Sequence, residues 1–394
     1  MKKILSFVLC LCAFSANAQL TEENYKKKNT LYFAPRANVG YVLPTNEFLT
    51  GENNSQSPIN WYHAQSIGLA VQTTGSKEWH HVLNFPYYGV SCYTAGFPQT
   101  NEMGRPWAAY AYMGVPIKRT QTHAFGYELA FGFATNWKRY DPVTNPNNIT
   151  IGSYSTVYIG ANLFWSYQLS PLLDFKTGFG FTHFSNGAMR KPNKGLNLAA
   201  PFVELSYRFE ELPKLERQTP SPYEQCNEIA IQASFSSKQE EYESSVENVA
   251  STIGKFEMYN LSAAYMRQIT WKNKFGAGID WSYDTQGNLS YSENSQGVVV
   301  LDQSNLFADR TVLGLYGTYE FIANRISLAS SLGAYVYRKK PEGGAPIIYQ
   351  RIGLKYHFKN DMFVSVLVRA HNFTVADIIE WGVGYRIKWR KDEK

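Results

Sequence analysis

The chain has 394 residues, with 38 Lys plus Arg against 32 Asp plus Glu and a formal net charge of +6. That mild, scattered surplus gives no dense basic patch of the kind that binds nucleic acid. Aromatics make up 15%, with 28 tyrosines, yet mean hydropathy is −0.33. Beyond the N-terminal segment no run of 18 apolar residues occurs, which excludes helical membrane spans.

Residues 1–18 read as a secretory signal: Lys2 and Lys3 at the start, Ile4 to Phe14 apolar, then Ala16-Asn17-Ala18 as a small-x-small cleavage site. The mature chain then begins near Gln19 with a charge of about +4, after Lys2 and Lys3 are subtracted from +6. Cys10 and Cys12 leave with the signal. Export permits a Cys92–Cys226 pair without requiring one. No Cys-x-x-Cys or His-x-x-x-His spacing suggests a metal. His80 and His81, placed on a strand, face opposite sides and read as strand-end or interface histidines.

Segments of about ten residues with alternating character follow, separated by turns. In the first half they fall near 31–42, 65–74, 80–95, 105–118, 124–138, 154–169, 172–185 and 197–209. In the second they fall near 227–237, 257–270, 274–284, 311–322, 325–338, 346–358, 361–371 and 376–389. This is an all-β chain, and a polar sequence rich in aromatics suits an antiparallel transmembrane β-barrel of the bacterial outer membrane; composition alone leaves a soluble sandwich open. Residues 210–225, charged and holding Pro213, Pro220 and Pro222, form a linker because proline cannot join a hydrogen-bonded ladder. The halves 19–209 and 226–394 also look duplicated, ending in Tyr207-Arg208 and Tyr385-Arg386 and each carrying a histidine one strand earlier, His183 and His371. One wall of about sixteen strands is slightly preferred over two barrels of eight.

The richest chemistry lies on the seventh segment. Residues two apart on a strand share a face, so Phe175, Thr177, Phe179, Phe181, His183 and Ser185 project together. The greasy face of a membrane barrel meets lipid. With the amino terminus in the periplasm, odd strands run outward, which puts His183 and Ser185 at the outer rim and the loop Asn186 to Gly195 outside the cell. Glu204 falls on the opposite parity, toward the lumen, as a partner for Arg208 or another interior charge. His371 shares the inner face with Ser365 and Arg369 and has Phe373, not a hydroxyl, two residues on.

The run His183-Phe184-Ser185-Asn186, continued by Pro192-Asn193-Lys194-Gly195, resembles the signature of the PagL-type lipid A 3-O-deacylases. Those are eight-stranded outer-membrane barrels that hydrolyse the ester-linked acyl chain at the 3 position of lipid A. The resemblance covers residues 19–209; the second half shares it only through the weak repeat. It implies Ser185 as nucleophile and His183 as its general base. Asn186, with backbone N–H groups near Ala188, would line an oxyanion hole, while Pro192, Asn193 and Gly195 shape the loop. No metal or organic cofactor is implied, and the partner is lipopolysaccharide.

This chain departs from the family at Asn197, which stands where the family carries a glutamate. An amide orients a histidine without balancing its charge, although the papain-type Cys-His-Asn set works with one. The alternatives to a serine esterase are an inactive barrel that binds lipid or serves structurally, and a pore. The pore requires both halves to form one wide wall.

Overall fold

A computed structural model describes residues 29–243, 250–293, 299–339, 346–372 and 375–390. The expected signal segment, 1–18, lies outside these residues.

The first half folds as β1 (Thr30–Val42), β2 (Trp61–Gln72), β3 (Tyr87–Gly96), β4 (Gly104–Arg119), β5 (His123–Trp137), β6 (Ser155–Ser170), β7 (Leu173–Ser185) and β8 (Leu196–Arg208). Each strand pairs antiparallel with the next, and β8 returns to β1 with Arg36 opposite Glu204. The wall is closed. The second half contributes β9 (Cys226–Glu243), β10 (Ala250–Gln268) and β11 (Asn273–Asp284), then a small hairpin, β12 (Ser290–Glu293) with β13 (Val299–Asp302). It continues through β14 (Thr311–Ala323), β15 (Ile326–Arg338), β16 (Ile348–His357), β17 (Met362–His371) and β18 (Val375–Arg390). Pairing of β18 with β9 closes a second barrel, from which β12 and β13 stand apart.

The sixteen-stranded wall is therefore corrected to two eight-stranded barrels. The reason is edge pairing: once β1 takes the free edge of β8, no ladder remains for β9 to join. The charged, proline-bearing segment leads from one closed wall to the next. The turns joining β4 to β5, β6 to β7, β10 to β11, β14 to β15 and β16 to β17 are short, whereas residues 73–86, at the same end of the first barrel, join β2 to β3 through a longer segment that includes a short helix. Among the described residues no helix is long and apolar enough to cross a membrane.

Alternation explains the wall. Leu31, Ile67, Leu69, Val90, Phe125, Leu163, Phe179, Val203 and Leu205 project outward and are exposed. Tyr32, Tyr87, Tyr93, Tyr110, Tyr158, Phe164 and Phe202 turn inward and fill the first lumen, beneath a cap that includes Phe48, Leu49 and Ile151. Threaded through those rings is a balanced ionic network. Arg36 lies 2.8 Å from Glu128 and 2.7 Å from Glu204, and Lys176 lies 2.7 Å from Glu204. Glu204 thus points inward and pairs with interior charges as expected, namely Arg36 and Lys176, while Arg208 pairs with Asp174. The second lumen repeats the scheme, with Arg351 between Asp280 and Glu380 and Arg369 on Glu380.

The expected strand at 80–95 starts late. Glu78–Val82 is a short helix in which His80 and His81 are both buried, and the ladder begins at Tyr87, after Pro86. His81 is an interface histidine. Its Nε2 donates to Gly75 O at 3.0 Å, and its Nδ1 accepts from Gln218 N at 3.2 Å, fastening the linker under the first barrel. Cys92 and Cys226 are free thiols, one on the outer wall of the first barrel and the other opening β9, so the pair left open by the sequence is not formed.

His80 Nδ1 accepts a hydrogen bond from Gly75 N at 3.3 Å, while the ring packs edge-on to Trp79. Burial, then Lys77 and His81, push its pKa down to about 4. Because the folded value lies below the unfolded one, near 6.5, this group's stabilisation is complete above pH 6.5 and is lost as pH falls toward 4. Hydrogen exchange across 78–85, corrected for intrinsic rates, should accelerate between pH 7.5 and pH 5.

Candidate active site

Phe184 fixes the site. It is fully buried in the lumen against Tyr93, Trp137 and Tyr158, so the strand's alternation turns His183 and Ser185 to the outer face of the same barrel. Phe179 and Phe181, exposed on that face, lead down the wall beneath them. The pairing of β7 with β8 sets His183 directly opposite Asn197. His183 Nδ1 lies 2.7 Å from Asn197 Oδ1. With that amide oxygen accepting, Nδ1 carries the proton and Nε2 keeps its lone pair, the tautomer a general base needs.

Ser185 Oγ accepts from Gly187 N at 3.1 Å and from Asn193 Nδ2 at 2.9 Å. Both lone pairs are engaged, which leaves the hydroxyl hydrogen as the donor. Among the hydrogen bonds of the described residues none joins Ser185 to His183. Catalytic contacts in ligand-free enzymes commonly tighten only around substrate.

Asn186 is committed to the loop. Its Nδ2 donates to Ser153 Oγ at 3.1 Å and to Arg190 O at 2.7 Å, and its backbone N–H donates to Asn193 Oδ1 at 3.4 Å. The backbone donor nearest the hydroxyl is Gly187, which sequence reading did not single out. Asn186 O accepts from Met189 N at 3.2 Å around Gly187 (φ 59) and Ala188 (φ 62), a turn with two left-handed central residues. Pro192 follows a cis peptide bond. Gly195 (φ 75) lies against the imidazole, where an added Cβ would sit 3.0 Å from His183 Cε1. The loop is stitched to a neighbouring segment by Lys194 N to Ile149 O at 2.9 Å and Gly195 N to Thr150 O at 3.0 Å. At the rim Lys194 stands 3.6 Å from Glu47, whose carboxyl is held below its usual range by its own backbone N–H and then by that lysine.

His371 lies elsewhere, inside the second barrel, with Ser365 and Arg369 as expected. Its Nε2 is 3.3 Å from Tyr335 OH and its Nδ1 is 4.0 Å from Asp377.

The architecture is thus a pair of closed antiparallel barrels, the first carrying a serine, a histidine and two asparagines on its outer rim. Residues 65–208 match the family model described as lipid A 3-O-deacylase (PagL), and residues 227–389 match that of the acyloxyacyl hydrolase C-terminal domain. By these matches the first barrel is a PagL-family barrel and the second is an acyloxyacyl hydrolase C-terminal domain. No curated protein matches it significantly.

Among solved structures, the Pseudomonas putida toluene transporter TodX aligns over 92% of this chain and 89% of its own, at 8% identity and a TM-score of 0.18. A mutant of Rh. blastica porin aligns over 91% of this chain and 100% of its own, at 11% identity and a TM-score of 0.18. Likenesses this slight carry no weight for function.

Proposed function

We propose that the first barrel is an outer-membrane serine esterase that removes the ester-linked 3-hydroxyacyl chain from lipid A of lipopolysaccharide. The observation that carries this reading is the outward projection of His183 and Ser185 on a wall of exposed apolar side chains in a PagL-family barrel. A lipid-facing wall brings acyl esters to the pair; a lumen packed with rings and ions does not.

In the reaction Ser185 Oγ leaves its Asn193 and Gly187 donors and gives its proton to His183 Nε2 as it attacks the ester carbonyl. The freed Gly187 N–H and the Asn193 amide then face the developing oxyanion. His183, now charged, protonates the departing 3-hydroxyl of the sugar, and water, activated by the same imidazole, releases the fatty acid. Asn197 Oδ1 holds the imidazole in register throughout. No metal or cofactor takes part. The pore reading loses its premise, because it required one wide wall.

Mass spectrometry of lipid A from cells making the chain is expected to show a species lighter by one 3-linked hydroxyacyl chain, with the free hydroxy acid recovered. Lipid A unchanged in mass would leave a lipid-binding or structural barrel. Asn197→Glu restores the family's acid beside Nδ1, where a carboxylate also stabilises the imidazolium. The converse change in serine proteases costs ~10⁴ in turnover. Glutamate is longer than asparagine, so a more modest gain, about tenfold in kcat, is expected in a fatty-acid release assay.

A further inference from the structure

The second barrel reaches the loop that supplies the backbone donors. Gln239, near the upper end of β9, donates its backbone N–H to Ala188 O at 2.8 Å. Its side-chain Oε1 accepts from Lys191 N at 3.0 Å. Ile379 of β18 is 2% exposed and lies against Gly187, so that a Cβ added there would come 2.3 Å from Ile379 Cγ1. The barrels also meet lower down, where Phe133 stacks on Trp381 at 6.2 Å between ring centres.

These contacts fall on a strained turn. Ala188 holds φ 62, a left-handed conformation that a residue with a Cβ adopts only at a cost and keeps only where its surroundings impose it. The loop's own bond from Met189 N to Asn186 O closes the turn, while the capture of Ala188 O and Lys191 N from outside fixes how it is aimed. Aim matters because oxyanion stabilisation depends on N–H groups already pointing where charge develops.

We infer that the second barrel is an intramolecular brace for the first: Gln239 and Ile379 are positioning residues that hold the Gly187–Ala188 turn so that its N–H groups face the reacting carbonyl. The inference rests on the esterase reading and assigns the C-terminal barrel a part in that reaction without placing any of its residues on the substrate. It also predicts which change is tolerated, since only an acceptor at the end of the Gln239 side chain is used.

The test uses the purified full chain in detergent, assayed on lipid A bearing 3-linked acyl chains, alongside limited trypsin digestion at Arg190, which is exposed on the loop. Gln239→Ala should lower kcat tenfold or more with KM within twofold, and should hasten cleavage after Arg190. Gln239→Glu keeps the acceptor and should retain both kcat and protease resistance. Phe133→Ala loosens the barrel contact away from the loop and should change neither. Wild-type kcat in Gln239→Ala, or lost kcat with the loop as resistant as before, overturns the brace. A wild-type chain that releases no acyl group brings down the esterase reading and the catalytic half of this inference, while the cleavage rates still decide whether the second barrel holds the loop.

Discussion

Ser185→Ala is expected to lower acyl release by on the order of 10⁴-fold or more while leaving the barrel folded. Removing a nucleophile that works as a unit with its base leaves only what the oxyanion donors and substrate binding supply, and losses of that order are measured when a serine-hydrolase nucleophile is deleted. His183→Ala should cost about as much, and the double variant little more, because either change alone disables the same step. Structure should survive. The Ser185 hydroxyl accepts from Gly187 N and Asn193 Nδ2, and leaving donors unpaired costs roughly 1–3 kcal/mol each at a buried site, less at this half-buried rim. Fatty-acid release, with heat-modifiable gel mobility as the check on folding, separates the outcomes: substantial turnover by a folded Ser185→Ala chain would remove this serine from the mechanism.

Much of this arrangement could be read from residue order. Strand periodicity needs only local sequence, so β14, expected at 311–322, forms at Thr311–Ala323, and β7, expected at 172–185, forms at Leu173–Ser185. The same parity argument put His183 outward and His371 and Glu204 inward. What failed was decided by partners distant in sequence. Barrel closure depends on which strand takes the last free edge, and no local pattern reports that. Strand β9 runs past its expected end at 237 and β10 starts before its expected 257, because Lys238 and Phe256 pair across a stretch too polar to look like a wall. His80 and His81 sit in a helical turn ahead of Pro86, where alternation had suggested an early strand start. At the site, the His183–Asn197 pair followed from the family spacing. Gly187, Gln239 and Ile379 carry no signal of their own, since each matters only through what folding brings against it.

Arg36 should be the most sensitive position in the first lumen. Arg36→Ala would strand two carboxylates: Glu128, which takes Nη1 and Nη2 at 2.8 and 3.0 Å, and Glu204, which takes Nε at 2.8 Å. Lys176 answers one of them; the other keeps Tyr87 OH at 2.8 Å and Asn162 Nδ2 at 2.9 Å but no cation. Breaking a buried pair from one side costs about 3–5 kcal/mol, because the surviving charge has lost its compensation. The guanidinium also lies 4.4 Å from the centre of the Phe202 ring, so alanine leaves a gap as well. Urea unfolding in lipid vesicles should shift by that amount. The cost belongs to the unpaired charge rather than to the ion pair's own worth, which yields a reversal: Arg36→Met combined with Glu128→Gln leaves Glu204 on Lys176 and should recover most of the loss. A double variant as unstable as Arg36→Ala would mean that the guanidinium's packing and hydrogen bonds hold the lumen together, and that charge balance does not.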